Sequence, residues 1–320
     1  MIARALWRPA FAAIVPHPIV PRRPLDILNA VFVAILLALT LVAGAMQRLQ
    51  DWPALSLRFG AMLAGIAAIS RVARWEERNP LARILVNFYP LVLIPLIFDS
   101  MGRVIPAVHP MEYDAPLAAI DRALFGVDVT VAMQPLLWPP LTDLLHLAYA
   151  TYYFLPIVVT LALWRRDVPR ARRFIFTIVL AFYVSYAGYF LVPAKGPRYH
   201  QAHLYTTELV VSPISTWISA TLNNLENLTK HDAFPSGHTM IAVMCLIVAA
   251  RHARRAFWFL LPAALGLVFS TMYCRYHYAV DVVAGLVLAG IMVPVGQAVW
   301  DRYDRRASAG EGTTTRAAAP

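Results

Sequence analysis

Charge is scarce in this chain: only 14% of its 320 residues are Asp, Glu, Lys or Arg, while 59% are hydrophobic. That excludes a disordered or highly solvated chain, since apolar residues are gathered into runs near 20 long. Cysteine is almost absent. Cys245 and Cys274 are too few for a disulfide framework, and both fall within or beside apolar runs, where cysteine packs as a small hydrophobe. The stretch around Arg4, Arg8, Arg22 and Arg23 is broken by Pro9, Pro16, Pro18 and Pro21. It lacks the unbroken apolar core of a cleavable signal peptide. There is no internal repeat. Lysine is the rarest cation, with Arg supplying nearly all of the 28 basic residues.

What is present is a series of membrane-length apolar segments, so the expected fold class is all-α, a polytopic integral membrane protein. Eight spans are expected at about 26–47, 56–73, 84–101, 143–164, 173–193, 237–250, 256–274 and 280–300. The net charge of +10 does not point to nucleic acid, because the basic residues sit in short clusters at the ends of apolar runs. They read as topology signals. Arginines crowd the N-terminal arm, 71–83, 165–173, 251–255 and 302–306. With eight spans these clusters share one side, which predicts cytoplasmic termini in the cell membrane. The loops at 48–55, 102–142, 194–236 and 275–279 would then face the periplasm or exterior.

The expected organisation is an N-terminal arm over 1–25, membrane helices and an outward loop over 26–142, a second unit of membrane helices over 143–300, and a disordered cytoplasmic tail over 301–320. Within the loop, "APLAAIDRALFG" has apolar residues at helical spacing and closes at Gly126, as an interfacial amphipathic helix would.

Three polar clusters share the predicted outward side: "PAKGPRYH" at 193–200, "PSGH" at 235–238 and "YCRYHYAVD" at 273–281. Lys195 and Arg198 can neutralise a phosphate. Ser236 can cap a helix whose first N–H groups belong to Gly237 and His238, and the missing side chain of Gly237 leaves room for an anion. His277 and Asp281 stand four apart, the spacing of one helical face, so the carboxylate can fix the imidazole tautomer and leave the second nitrogen free to attack. The span after "PSGH" has about 14 residues before Arg251, or ~21 Å at ~1.5 Å per residue, against a ~30 Å hydrocarbon layer. His238 is therefore placed at or below the lipid boundary, the depth of a phosphate carried on a lipid. Carboxylates near the motifs are few, which argues against a metal site; no cofactor is expected.

"PSGH" followed by H-x-x-x-D resembles the type 2 phosphatidic acid phosphatase (PAP2) superfamily over about residues 173–300, with "IDRALFG" as a weaker extension. The resemblance implies a six-helix catalytic core. In it His277 would be the nucleophile that forms a phosphohistidine, Asp281 its orienting carboxylate and His238 the acid for the leaving group. Lys195, Arg198, Ser236 and Gly237 would hold the phosphoryl oxygens. Two positions depart from the family pattern: position 191 is Leu191 where a lysine is usual, and position 271 is Thr271 where an arginine is usual. Arg275 stands as a replacement for the second. The string "STMYCRYHYAVDVVAG" is similar to the inositolphosphorylceramide synthase (aureobasidin-resistance) branch. This implies a phosphotransferase or phosphatase acting on a lipid phosphate or phospholipid head group, with a lipid alcohol as acceptor in the transferase case. Simple hydrolysis of phosphatidic acid or a polyprenyl diphosphate is the alternative. A lipid transporter would need ionisable groups deep in several spans, and beyond Asp281, His146 and Asp143 the spans hold almost none.

Overall fold

The computed structural model describes residues 23–209, 216 and 230–316. The arm over 1–22, residues 210–215 and 217–229 of the 194–236 loop, and the last four residues lie outside this description. The described residues are helical, with no strand. In chain order the α-helices are α1 Pro24–Ala45, α2 Trp52–Val72, α3 Pro80–Phe88, α4 Pro90–Val108, α5 Asp114–Phe125, α6 Val129–Ala132, α7 Pro139–Ala150, α8 Leu155–Trp164, α9 Val168–Leu191, α10 Pro197–His200, α11 Gly237–His252, α12 Arg254–Tyr273 and α13 Ala279–Arg316. Prolines open α1, α2, α3, α4, α7, α8 and α9. At a first turn the missing N–H costs nothing and the fixed φ already suits a helix.

Among the described residues, six segments are long and apolar enough to cross a membrane: Pro24–Ala45, Trp52–Trp75, Pro80–Val108, Val168–Leu191, Arg254–Tyr273 and Ala279–Arg305. A seventh exists if Pro139–Tyr153 and Leu155–Trp164, bent by 48°, are one span. With the shorter apolar helix Gly237–His252, these correspond to the eight expected segments. The expected span 143–164 is broken because Pro156 lacks an N–H and its ring crowds the carbonyl of the preceding turn. The expected span 237–250 is Gly237–His252, of 16 residues, or ~24 Å. The 301–320 tail also departs from expectation. α13 continues to Arg316, because adding residues to an existing helix avoids the nucleation cost.

Two buried clusters meet on α9. One joins α9 to α1, α2 and α4; the other joins it to α8, α11, α12 and α13. A buried polar network fixes the first group. Tyr89 donates to Asp26 Oδ1 at 2.8 Å, Tyr183 donates to Asn29 Oδ1 at 2.7 Å, and Asn29 donates to the Tyr89 hydroxyl. In a low-dielectric interior each of these groups would be costly if left alone, so the network pins α1, the α3–α4 joint and α9 in one register.

α5 forms and Gly126 closes it in the left-handed conformation, with φ 76°. Asp114, Leu117, Ala118 and Asp121 are buried, while the apolar Ile120, Leu124 and Phe125 are exposed. Two aspartates seven residues apart point into the protein.

Candidate active site

Those aspartates hold the motif loops in place. Asp114 accepts the Lys195 and Gly196 backbone N–H groups at 2.8 Å each, and the Tyr278 hydroxyl at 3.0 Å. Gly196 sits at φ 88°, and a Cβ there would come within 2.4 Å of the Tyr276 carbonyl oxygen. Only glycine allows this turn. Asp121 accepts from the N–H groups of Ala279 and Val280 at 2.9 and 2.7 Å, capping the first turn of α13 from another part of the chain. The 193–200 and 273–281 segments are thereby held against one helix.

His277 lies in the turn before α13, and Asp281 in its first turn. The i, i+4 spacing brings them together through a turn, which corrects the expectation of a shared helical face. Nδ1 of His277 is 2.7 Å from the Ala233 carbonyl oxygen and 3.5 Å from Asp281 Oδ2. A carbonyl can only accept, so Nδ1 carries the proton and Nε2 keeps its lone pair. Asp281 is fully buried; Oδ2 accepts the Tyr278 N–H at 2.8 Å, while Oδ1 has no hydrogen-bond partner among the described residues. Its carboxylate shapes the turn that carries His277 as well as standing beside the ring.

Nε2 of His277 faces Nδ1 of His238 at 3.4 Å. His238 is held between two aromatic rings, Tyr149 and Tyr152, at centroid distances of 4.6 and 4.2 Å. Tyr149 in turn stacks on Tyr276 at 4.6 Å. This stack, together with the contact to His277, orients the second imidazole.

The two histidines line a polar pocket together with Lys195, Arg198, Lys230, Asp232, Tyr149, Tyr199 and Tyr276. Four of the expected site residues therefore converge: Lys195, Arg198, His238 and His277. The Arg198 guanidinium lies over the rings of Tyr199 and Tyr276, at 4.9 and 4.7 Å. Lys195 is paired with Glu112, and His231 Nε2 lies 3.6 Å from the same carboxylate. The hydrogen bond from Lys195 holds the Glu112 carboxyl below its usual range. Burial, aided by the Lys195 charge, pushes the His231 imidazole down.

Three expected phosphate ligands are not brought to the pocket. Ser236 does cap α11, accepting the Thr239 N–H at 3.3 Å, but it is fully buried. Gly237 is buried too, and a Cβ there would come within 2.8 Å of the hydroxyls of both Ser185 and Tyr189. Its missing side chain serves the close packing of α9 on α11 rather than the approach of an anion. Arg275 has φ 66°, which swings its side chain away: Nη2 donates to the Thr207 carbonyl at 2.6 Å, and the guanidinium covers the Tyr205 ring at 3.8 Å. It does not stand in for an arginine at Thr271, whose side chain bonds back to the Val268 carbonyl.

Lys230, Asp114, Asp121 and the tyrosines around His238 were not singled out by the motifs. Lys230 did carry a signal. It and Lys195 are the chain's two lysines, and both line this pocket. Cys245 is packed in the core and Cys274 is buried beside His146, both as free thiols. Among the described residues no group of three or more His, Cys, Asp or Glu is placed to hold a metal ion.

The site is a pair of imidazoles among cations on a helical membrane scaffold. Residues 115–295 match the PAP2 superfamily, and the chain belongs to that family. α5 from its second residue onward falls inside the family region, and α1 to α4 lie before it. A PA-phosphatase related-family protein from Dictyostelium discoideum is 24% identical over 230 residues, covering 60% of this chain and 41% of the relative. The chain thus spans less than half the length of that curated relative. No solved structure matches it significantly.

Proposed function

We propose that this chain is a membrane enzyme that cleaves or transfers the phosphate of a lipid, with His277 as the nucleophile. The observation that carries the reading is the unprotonated Nε2 of His277, 3.4 Å from His238, inside a pocket with Lys195, Arg198 and Lys230. In the first step Nε2 attacks phosphorus and the ester oxygen leaves with a proton from His238. The cations neutralise charge on the equatorial oxygens. In the second step water, or a lipid alcohol, attacks the phosphohistidine and His238 takes its proton.

The balance between hydrolysis and transfer depends on which acceptor reaches His277. The pocket shares His238 and Asp232 with a large apolar cavity, which favours access by a lipid alcohol and supports the transferase reading. With Arg and Lys side chains neutralising the phosphate, the reaction needs no metal ion. Activity is expected to survive chelators and to be inhibited by vanadate. The alternation of the arginine clusters supports a site on the extracytoplasmic face.

The test is to incubate the purified protein with a lipid carrying labelled phosphate, quench in base and map the label. Labelled His277 peptide, absent in His277→Ala, supports the reading. Turnover that persists in His277→Ala would sink it. Adding a lipid alcohol then separates the two outcomes: a new phospholipid marks transfer, and released phosphate alone marks hydrolysis.

A further inference from the structure

A cavity of about 680 Å³ begins at His238 and runs along the bundle to Phe88, within the size range of small-molecule sites. Its floor is α9, where lining residues extend from Ile175 to Tyr189, or ~21 Å at ~1.5 Å per residue. One wall is α8, through Ile157; the other is α4, through Leu91 and Phe98. α4 and α8 both pack on α9 but scarcely on each other. The cavity therefore opens sideways between them, where Leu91 and Tyr153 are exposed. The α4 wall is fixed, because Tyr89 at its start is locked to Asp26 and Asn29 of α1.

We infer that this cavity is the binding slot for the apolar chain of the lipid phosphate, entered from the membrane between α4 and α8. α4, which precedes the family region, sets the chain length. The inference rests on the lipid-phosphate reading above. Two observations select the occupant. The lining is mostly apolar, with Arg58 and Asp99 paired to each other, and one end is the histidine of the polar pocket, so a phosphate there leaves its chain nowhere apolar to go but along the slot. The slot also reaches past half of a ~30 Å hydrocarbon layer. It therefore suits a chain that more than fills one leaflet.

The experiment uses the full chain in detergent and in vesicles. Initial rates are measured for lipid phosphates of increasing chain length and for a soluble aryl phosphate. In the wild type kcat/KM should climb with each methylene until the slot is filled. The double variant Leu91→Trp/Ile157→Trp narrows the slot with side chains that are not part of the buried core. It should lose on the order of tenfold or more in kcat/KM on long chains, mainly through KM, and stay within about twofold on the soluble ester. Equal effects on both substrates, or none, would overturn the inference. Independently, a lipid phosphate bearing a diazirine at its chain end should label α4, α8 or the Ile175 end of α9 in the wild type. Labelling confined to other helices also overturns it. If the wild type turns over neither the lipids nor the aryl phosphate, the catalytic reading fails; the labelling pattern still decides the slot.

Discussion

The nearest acceptor to Nδ1 of His277 is the backbone carbonyl of Ala233, at 2.7 Å, with the Asp281 carboxylate farther off at 3.5 Å. Ala233 is 44 residues away in sequence and is itself held by the bond from its N–H to the Ala194 carbonyl, at 3.0 Å. The three motif segments are thus linked through backbone at the one nitrogen whose proton decides whether His277 can attack.

Asp281→Asn should consequently cost less than in a site where the carboxylate alone sets the tautomer, a change that can reach ~10⁴-fold in kcat. With Ala233 still accepting from Nδ1, a loss on the order of 10- to 100-fold is expected, against complete loss in His277→Ala. Saturating rates of the purified variants measure this. A loss in Asp281→Asn as large as in His277→Ala would show that Asp281 sets the tautomer.

Asp121 is 1% exposed and accepts two backbone N–H groups at the start of α13. Asp121→Ala would leave the buried Ala279 N–H without a partner, at a cost of about 1–3 kcal/mol, and the half-buried Val280 N–H too, at a smaller cost. A lowered thermal midpoint is expected together with reduced turnover, because the same turn carries His277. Asp121→Asn keeps one acceptor oxygen and should fall between the two. Unchanged stability in Asp121→Ala would mean that α13 starts correctly without this cap.

Arg198 and Arg275 should part in their effects. Arg198 lines the pocket, and its loss removes charge-assisted hydrogen bonds to phosphate, about 1.5–3 kcal/mol or roughly 10- to 100-fold in kcat/KM. Arg275 holds Thr207 and Tyr205, so Arg275→Ala should loosen the 205–207 segment with little direct effect on phosphate binding. Limited proteolysis and rates on a soluble ester, measured on both variants, distinguish the roles. Arg275→Gly should tolerate the φ of 66° better than Arg275→Ala.

Orientation is checked by cysteine labelling. In a background carrying Cys245→Ala and Cys274→Ala, His203→Cys should react with an impermeant thiol reagent applied to intact cells, and Arg166→Cys should not. The reverse pattern would place the pocket on the cytoplasmic side.

The helical membrane scaffold was legible in the sequence because its causes are local: apolar runs, prolines at first turns and a glycine after Phe125 act on their own neighbours. His238 and His277 were legible because few other reasons place two histidines beside apolar spans. The sequence could not show that α5 turns its aspartates inward, since Asp114 and Asp121 bond to N–H groups near 195 and 279 and a carboxylate does not announce a distant partner. Arg275 and Gly237 were misread for a related reason. Side-chain type suggested a phosphate ligand and an anion gap, but a backbone φ turned one away, and the hydroxyls of Ser185 and Tyr189 filled the space beside the other. The Ala233 carbonyl lay beyond any reading of residue types. Every residue carries a carbonyl oxygen, and only the packing of one loop against another decides which of them meets a histidine.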